Sequence, residues 1–208
     1  MALHLTEADV QKLLTMPLAL EAVEESFRRL ADGSAVNHPR RRLKMIGRGL
    51  LNYMAASDAA GGYMGLKIYT VSPNGVRFLV PLFSAKSAEL VALIEADFLG
   101  QMRTGAASGV ATRFMARQDA RSVGIIGTGL QARTQLAAMS AVRHLESVRA
   151  FGRDPQRRES FANEMTKHIG VTVAPVSSPQ EAIRGVDIVI TSTTSKEPVV
   201  EGLSLIHI

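Results

Sequence analysis

Two glycines and an alanine occur at a spacing that suits the binding of a dinucleotide. The segment "SVGIIGTGLQARTQLAAM" (122–139) contains Gly127, Gly129 and Ala132 between an apolar run and a helix-like run. In such a turn the first glycine permits the sharp bend, the second lets the backbone approach a pyrophosphate, and the small third residue lets the helix pack on the strand. The N–H groups at the start of the helix then face the phosphates. The strand–turn–helix context favours a dinucleotide site over a glycine-rich turn that binds nothing.

The end of the next strand, "AFGRDP" (150–155), bears on which dinucleotide binds. An acid there hydrogen-bonds the ribose 2′-OH of NAD, whereas an arginine meets the 2′-phosphate of NADP. Gly152 occupies the expected place of the acid and Arg153 follows it, so the sequence favours NADP(H) over NAD(H). The alternative is that Arg153 is a solvated loop residue and that Asp154 contacts the ribose.

The segments around these motifs alternate between strand and helix patterns. We predict strands at 123–126, 148–152, 171–176 and 187–193, with helices between them. Ser178 and Pro179 are typical of the cap and first residue of the last helix. Strand–helix alternation predicts a parallel sheet with crossover helices. We therefore predict a Rossmann-type dinucleotide-binding domain at 118–202, with its boundary near Arg117–Asp119.

The first 117 residues have a different organisation. Thr6 with Asp9 predicts a capping box, and Pro17 and Gly33 mark the start and end of a second helix. Short apolar runs separated by turn signals predict mainly antiparallel strands over 40–96. The small residues of "DFLGQMRTGAASGVATRFMAR" (97–117) suit a helix packed very close to another element. The predicted fold class is α/β, with an N-terminal α+β domain at 1–117 before the Rossmann-type domain.

The overall composition narrows the class of protein. The 208 residues are 46% hydrophobic and 21% charged, which is ordinary for a soluble globular protein. The absence of cysteine excludes disulfides and fits a reducing, cytoplasmic compartment. We find no signal peptide and no membrane-length apolar run, so we expect no membrane partner. The net charge of +5 comes from scattered basic residues with only 5% aromatics, which fits a small anionic ligand and argues against nucleic acid. The histidines show no metal-ligand spacing, so we expect no metal.

Several segments resemble one enzyme family. "QMRTGAASGVATRFMAR" followed by "SVGIIGTGLQARTQLAAM" resembles the ornithine cyclodeaminase and mu-crystallin family. "HPRRRL", "YMGLKIYT" and "DIVITSTTSKEPVV" are similar to further signatures of that family, in the same order. The resemblance runs from about Leu5 to Val200. It implies that the first domain binds substrate and mediates homodimerisation, and that the protein binds a nicotinamide cofactor.

The resemblance also implies roles for individual residues. Arg103 in "MRTGA" is similar to an arginine near the substrate carboxylate and the nicotinamide, and Lys67 in "GLKIYT" to the family's active-site lysine. Arg40 in "PRRRL" is similar to a carboxylate clamp, although Arg41 and Arg42 are alternatives. Catalysis is expected of Lys67 and Arg103, and substrate binding of these two with Arg40. The expected cofactor-binding residues are Arg103, Thr104, Gly127, Thr128, Gly129, Leu130, Gln131, Ala132, Arg153, Thr191, Ser192 and Thr193.

The chemistry of these residue types agrees with those roles. A guanidinium fork matches a carboxylate bidentately. Strand alternation puts Lys67 on the face of Gly65 and Tyr69, opposite Leu66 and Ile68. A half-buried lysine there can titrate low enough for proton transfer. Without the family resemblance, ordinary surface charge is the simpler interpretation of the two arginines and the lysine.

The resemblance implies an NAD(P)-dependent enzyme that acts on a small L-amino acid or cyclic imino acid by hydride transfer at Cα. Cyclodeaminases, alanine dehydrogenases and ketimine reductases all occur in the family, and a non-catalytic NADP-binding or ligand-carrying protein is the alternative. In the family a proton-transfer aspartate and further strands follow the fourth strand. We therefore expect an incomplete dinucleotide-binding domain, an inactive fragment, and a non-native tail at "LSLIHI" (203–208).

Overall fold

Most of the chain is described by a computed structural model, which covers residues 2–44, 49–72 and 75–200. The expected tail at 203–208 and the last two residues of the predicted second domain lie outside the described residues. The chain divides into two compact units, Met1–Arg103 and Thr104–Ile208. Across the described ranges, no helix combines the length and the apolar character that crossing a membrane requires.

The first unit begins with a short strand and two helices, β1 (Leu3–Leu5), α1 (Glu7–Leu13) and α2 (Met16–Asp32). Thr6 and Asp9 form the predicted capping box, in which the Asp9 carboxylate accepts from the Thr6 N–H at 2.9 Å. Pro17 lies in the first turn of α2, and Gly33 ends the helix with a φ of +81°. Both helices and their predicted ends are confirmed.

A single sheet makes up most of the first unit. It contains β1 and six further strands: β2 (Ala35–Asn37), β3 (Arg41–Lys44), β4 (Leu50–Asp58), β5 (Tyr63–Ser72), β6 (Gly75–Ser84) and β7 (Leu90–Glu95). The strand order is β1-β7-β6-β5-β4-β2, and β3 also pairs with β4. Among the described strands of this sheet, only β1 with β7 is a parallel pair. The antiparallel strands predicted over 40–96 are confirmed where that range is described. The sequence did not predict β1 and β2, because three-residue strands show no alternation and form only by pairing with distant segments.

The long helix α3 (Asp97–Met115) follows the sheet and confirms the predicted helix. A distant side chain caps its start: the Glu7 carboxylate accepts from the N–H groups of Asp97 at 2.5 Å and of Phe98 at 3.1 Å. The Asp97 carboxylate in turn accepts from the N–H of Phe78 at 2.9 Å. The start of α3 is therefore fixed both to α1 and to β6.

The second unit alternates strands and helices. Its elements are β8 (Ser122–Ile126), α4 (Leu130–Val142), β9 (Ser147–Phe151), α5 (Pro155–Ile169), β10 (Val173–Pro175), α6 (Pro179–Ile183) and β11 (Ile188–Thr191). All pairs are parallel and the order is β10-β9-β8-β11. That order matches the first four strands of a doubly wound dinucleotide-binding sheet. The predicted α/β class with a Rossmann-type second part is confirmed.

The small residues of α3 allow a close approach to α4. Gly105 is buried, and a Cβ there would overlap the carbonyl oxygen of Thr134. The Gln135 Nε2 donates to the carbonyl oxygen of Thr104 at 3.3 Å. These contacts join α3 from Thr104 onward to the second unit, so the division of the chain falls inside α3, before the boundary near Arg117 that the sequence suggests. The assignment of 1–117 to substrate and 118–202 to cofactor stays a prediction.

Candidate active site

The turn after β8 has the backbone that its glycines predict. Gly127 has a φ of +113°, a region that residues with a Cβ rarely adopt. A Cβ at Gly127 would also overlap the carbonyl oxygen of Ser192, which follows β11. The Gly127 N–H donates to the carbonyl oxygen of Phe151 at 2.8 Å. Glycine is therefore required at this position both by the φ angle and by the close contact.

Helix α4 starts immediately after this turn, with Gly129 as its N-cap. Gly129 provides no side-chain cap, and nothing lies within 4 Å of the place that a Cβ would take. Leu130 and Gln131 are exposed in the first turn, whereas Ala132 is fully buried. The start of α4 thus presents backbone N–H groups beside open space, which is the geometry that suits a pyrophosphate.

Other expected cofactor residues lie at the same edge of the sheet, where the carboxyl ends of parallel strands meet. The Ser192 N–H donates to the carbonyl oxygen of Ile126 at 2.7 Å, so the segment after β11 lies beside the turn. A Cβ at Gly152 would lie only 2.7 Å from the Thr128 Oγ1, so the end of β9 also approaches the turn. The structure brings these predicted residues of the second unit to one edge: Gly127, Thr128, Gly129, Leu130, Gln131, Arg153, Thr191, Ser192 and Thr193.

The structure bears on the choice between Arg153 and Asp154 at the end of β9. The Asp154 carboxylate accepts from the N–H of Arg157 at 3.2 Å and caps α5. Arg153 is exposed. A second arginine, Arg158, donates from Nη1 to the carbonyl oxygen of Gly152 at 2.9 Å. The acid therefore has a structural role in α5, and basic side chains surround the end of the strand.

Three cationic side chains of the first unit lie near enough for their charges to interact: Arg40, Lys67 and Arg103. We call them the cationic cluster. The Lys67 Nζ lies 4.7 Å from the centre of the Phe78 ring and 5.5 Å from that of Tyr69. The guanidinium carbon of Arg40 lies 5.8 Å from the centre of the Tyr69 ring. The two rings are 4.8 Å apart, because Tyr69 and Phe78 are register partners on β5 and β6. The sheet therefore presents a cationic and aromatic surface on the face that carries Lys67.

Burial and neighbouring positive charge lower the pKa values of Lys67 and Arg103. Burial, together with the charges of Arg103 and Arg40, lowers the pKa of Lys67 to about 8. Loss of solvent also lowers the pKa of Arg103, with Arg40 as the second cause. Over the part of the chain that the structure describes, none of the three forms a salt bridge. Cations gathered without an acidic partner suit an anionic ligand such as a carboxylate.

The strand register separates the three neighbouring arginines. Arg42 pairs with Asn52, which pairs with Tyr69, so Arg42 shares the face of the cationic cluster. Its Nε donates to the Oδ1 of the buried Asn52 at 3.4 Å. Arg41 lies on the opposite face, because successive strand residues alternate. The geometry therefore puts Arg40 in the cluster, Arg42 beside it and Arg41 away from it.

Sequence reasoning missed two residues that build the cationic cluster. Phe78 contributes the nearer ring to Lys67, but only the pairing of β5 with β6 brings it there. Glu7 caps the helix that carries Arg103 across a separation of 90 residues. By contrast, strand alternation alone correctly put Tyr69 on the face of Lys67. Among the described residues there is also no group of three or more His, Asp or Glu that could hold a metal ion.

The parallel sheet and its glycine turn put the second unit in the Rossmann-type class of dinucleotide-binding folds. A sequence profile of the Ornithine cyclodeaminase/mu-crystallin family matches residues 2–204. The chain therefore belongs to the ornithine cyclodeaminase/mu-crystallin family, which confirms the resemblance seen in its motifs.

Individual members of known function are similar over much of the chain. A Delta(1)-pyrroline-2-carboxylate reductase from Bacillus cereus is 36% identical over 143 residues, which are 65% of this chain and 44% of that protein. The structure of the Thermococcus litoralis Delta(1)-pyrroline-2-carboxylate reductase with NADH and L-proline has a TM-score of 0.91 and 36% identity, covering 97% of this chain and 65% of that one. An archaeal alanine dehydrogenase dimer with bound NAD has a TM-score of 0.90 and 32% identity, covering 98% and 64%. The chain thus spans less than two thirds of the length of each of these proteins.

Proposed function

We propose that the protein binds NAD(P) in its second unit and catalyses hydride transfer at the Cα of a small α-amino acid or cyclic imino acid. The observation that carries this proposal is the cationic cluster, which has no salt-bridge partner among the described residues. Both classes of substrate carry a carboxylate next to the carbon–nitrogen bond that reacts, and paired guanidinium groups bind carboxylates well. Proteins similar to this one act on pyrroline-2-carboxylate and on alanine, which share that feature.

Each member of the cationic cluster has a role in this proposal. Arg40 and Arg103 hold the substrate carboxylate and so fix the position of Cα. Lys67, with a pKa of about 8, carries a proton at neutral pH and can exchange it with the substrate nitrogen. Tyr69 and Phe78 flank the Lys67 ammonium and exclude water from one side of it. The nicotinamide, when bound, supplies or accepts the hydride.

The second unit fits such a cofactor by its own geometry. At Gly127 only glycine satisfies the backbone angle and the contact with Ser192, and at Gly129 the space that a side chain would fill is open. Both features are what a pyrophosphate against the start of α4 requires. The residues of this edge would hold the phosphates and the riboses, and the cationic cluster would hold the substrate.

We further propose that NADPH binds more tightly than NADH. Gly152 leaves no acid at the end of β9, Asp154 is engaged as the cap of α5, and Arg153 is exposed beside them. A charge-assisted hydrogen bond from Arg153 to a 2′-phosphate is worth about 1.5–3 kcal/mol, or roughly 10- to 100-fold in Kd. Titration of both cofactors into wild type and Arg153→Ala tests this, with Arg121→Ala, at the other end of the sheet, as control. Equal affinity for the two cofactors in wild type would contradict it.

We also propose that the protein forms a homodimer through the sheet face opposite Lys67. Five side chains on that face are more than a third exposed: Val36, Leu43, Tyr53, Met64 and Leu79. Two of them, Val36 and Met64, line an open, largely apolar groove of about 310 Å³. Large exposed apolar patches mark interaction surfaces, and the similar archaeal alanine dehydrogenase is a dimer. Sedimentation of Leu79→Glu should give monomers, whereas Val76→Glu, on the other face, should leave the dimer intact.

The test of the main proposal is a scan of amino acids and cyclic imines with both cofactors, following the absorbance of the reduced nicotinamide. With the product of the whole gene, we expect turnover of at least one substrate, a loss of about 100-fold or more in Lys67→Met, and normal turnover in Arg41→Ala. Binding of both a dinucleotide and an imino acid without any change in absorbance would favour the ligand-carrying alternative.

A further inference from the structure

Arg133, in the first turn of α4, makes contacts that none of the roles above explains. Its Nη1 donates to two backbone carbonyl oxygens of the glycine turn, that of Thr128 at 3.2 Å and that of Gly129 at 3.1 Å. One guanidinium nitrogen therefore ties together the two peptide groups that lead into the helix.

The carboxylate of Glu164, on α5, holds the other side of the same guanidinium. The Arg133 Nε donates to Oε1 at 2.8 Å and Nη2 donates to Oε2 at 2.6 Å, which is a bidentate pair. The guanidinium also lies 5.5 Å from the centre of the ring of Phe161, which is fully buried. The hydrogen bonds from Arg133 lower the pKa of Glu164, which favours the charged carboxylate. The guanidinium plane is thus fixed before any ligand arrives.

The two carbonyl contacts determine where the neighbouring N–H groups point. In a trans peptide group the N–H points away from the carbonyl of the same plane. The carbonyl of Thr128 shares its plane with the N–H of Gly129, and the carbonyl of Gly129 shares its plane with the N–H of Leu130. With both oxygens turned toward Arg133, both N–H groups point away from it. Nothing lies within 4 Å of the place that a Cβ on Gly129 would take, so there is open space beside the turn.

We infer that Arg133, held by Glu164, is a positioning residue that aims the N–H groups of Gly129 and Leu130 at the pyrophosphate of the dinucleotide. This inference rests on the proposed function of the second unit. Arg133 itself does not contact the phosphates. It fixes the peptide planes of the glycine turn, so that ligand binding does not have to order those planes. The contribution is common to every ligand that carries the pyrophosphate, and it does not discriminate between NADH and NADPH.

The test compares wild type with Arg133→Ala, Glu164→Gln and the double variant, all in the 1–208 chain. Titration with NADH and NADPH should show an affinity loss of about tenfold or more for Arg133→Ala, equal for the two cofactors. Glu164→Gln should lose less, because the guanidinium stays but is held less firmly. The double variant should bind no more weakly than Arg133→Ala, because Glu164 acts only through Arg133. Additive losses in the double variant, or a changed NADH to NADPH ratio in Arg133→Ala, would overturn the inference.

Arg143→Ala is the matched control. Arg143 also donates to backbone carbonyls, those of Thr112 and Ala116 at the end of α3, but it does not touch the glycine turn. It should lower the melting temperature without a selective loss of cofactor affinity. Amide hydrogen exchange over 127–132, measured without ligand, should rise in Arg133→Ala and not in Arg143→Ala. If wild type binds neither cofactor, the proposed function fails, while the exchange data still decide whether Arg133 orders the turn.

Discussion

The two units of this chain prepare for anions by different physical means. In the first unit, charged side chains from three separate segments converge, and Lys67 is held at a pKa of about 8 by burial and by neighbouring positive charge. In the second unit, the backbone N–H groups and the shape of a glycine turn provide the anion site, and Gly129 contributes no side-chain charge. The difference implies that the first unit tolerates changes of backbone shape but not of charge, and the second the reverse.

The strongest test of this contrast is at the glycine turn. Gly127→Ala forces a φ of +113° on alanine and pushes its Cβ into Ser192, so we expect the melting temperature to fall by more than about 5 °C and cofactor binding to be lost. Gly129→Ala has an ordinary φ of −86° and open space, so its melting temperature should stay within about 2 °C. Its cofactor affinity should still fall by about tenfold, because the new Cβ occupies the approach of the pyrophosphate. Thermal melts and cofactor titrations measure these changes in the two variants. A Gly127→Ala protein with unchanged melting temperature and cofactor affinity would contradict the proposed contrast between the two units.

A second prediction sharpens the role of charge in the first unit. On the proposed function, with L-proline as the probe, Arg40→Ala should weaken binding by about 10- to 100-fold, because it removes a charge-assisted hydrogen bond to the carboxylate. Arg41→Ala removes an identical charge from the opposite face of the sheet and should change the affinity by less than about twofold. Calorimetric titration of the two variants separates local geometry from net charge. Equal losses in both would mean that only the overall positive potential matters.

The smallest expected effect is the pH dependence that Lys67 introduces. Its folded pKa of about 8 lies below the ordinary 10.5, so between those values the unfolded chain binds the proton and the folded chain does not. The free energy of unfolding should therefore rise as the pH increases from 8 to 10.5, relative to a variant that lacks the group. Lys67→Met should be more stable at pH 7 by about 1–2 kcal/mol, an amount reduced by partial solvation, and the difference should shrink toward pH 10.5. Urea unfolding across this range measures it, and a constant difference would mean that the lysine is not desolvated.

The contrast between the units also governs what the sequence could predict. The glycine turn could be predicted from the sequence because its residues lie close together in the chain and its chemistry depends on the local backbone. Gly127, Gly129 and Ala132 were therefore assigned from their spacing. The cationic cluster could not be predicted from local sequence. Arg40, Lys67 and Arg103 needed the family resemblance to be picked out from surface charge, and no local pattern joins them.

Particular residues show where prediction from sequence stopped. Alternation found the face that Lys67 shares with Tyr69, but Phe78 depended on the pairing of β5 with β6. The choice among the three arginines could not be resolved from the sequence: the pairing of β3 with β4 assigns Arg41 and Arg42 to opposite faces, and the contact with Tyr69 locates Arg40. The sequence left Asp154 open as a ribose ligand, and only the structure shows that its carboxylate accepts from the N–H of Arg157 and caps α5.

The cap that Glu7 provides for α3 has a consequence for how the chain folds. The contact closes a loop of 90 residues, and β1 pairs with β7 over a similar separation. Closing so long a loop costs conformational entropy before any contact offsets it, and folds dominated by such contacts form slowly. A chain emerging from the ribosome cannot complete the first unit until the start of α3 has emerged too. In the second unit, by contrast, β8 meets its partner β9 only one helix later, so we expect that pair to form in the shorter time although it is synthesised after the first unit.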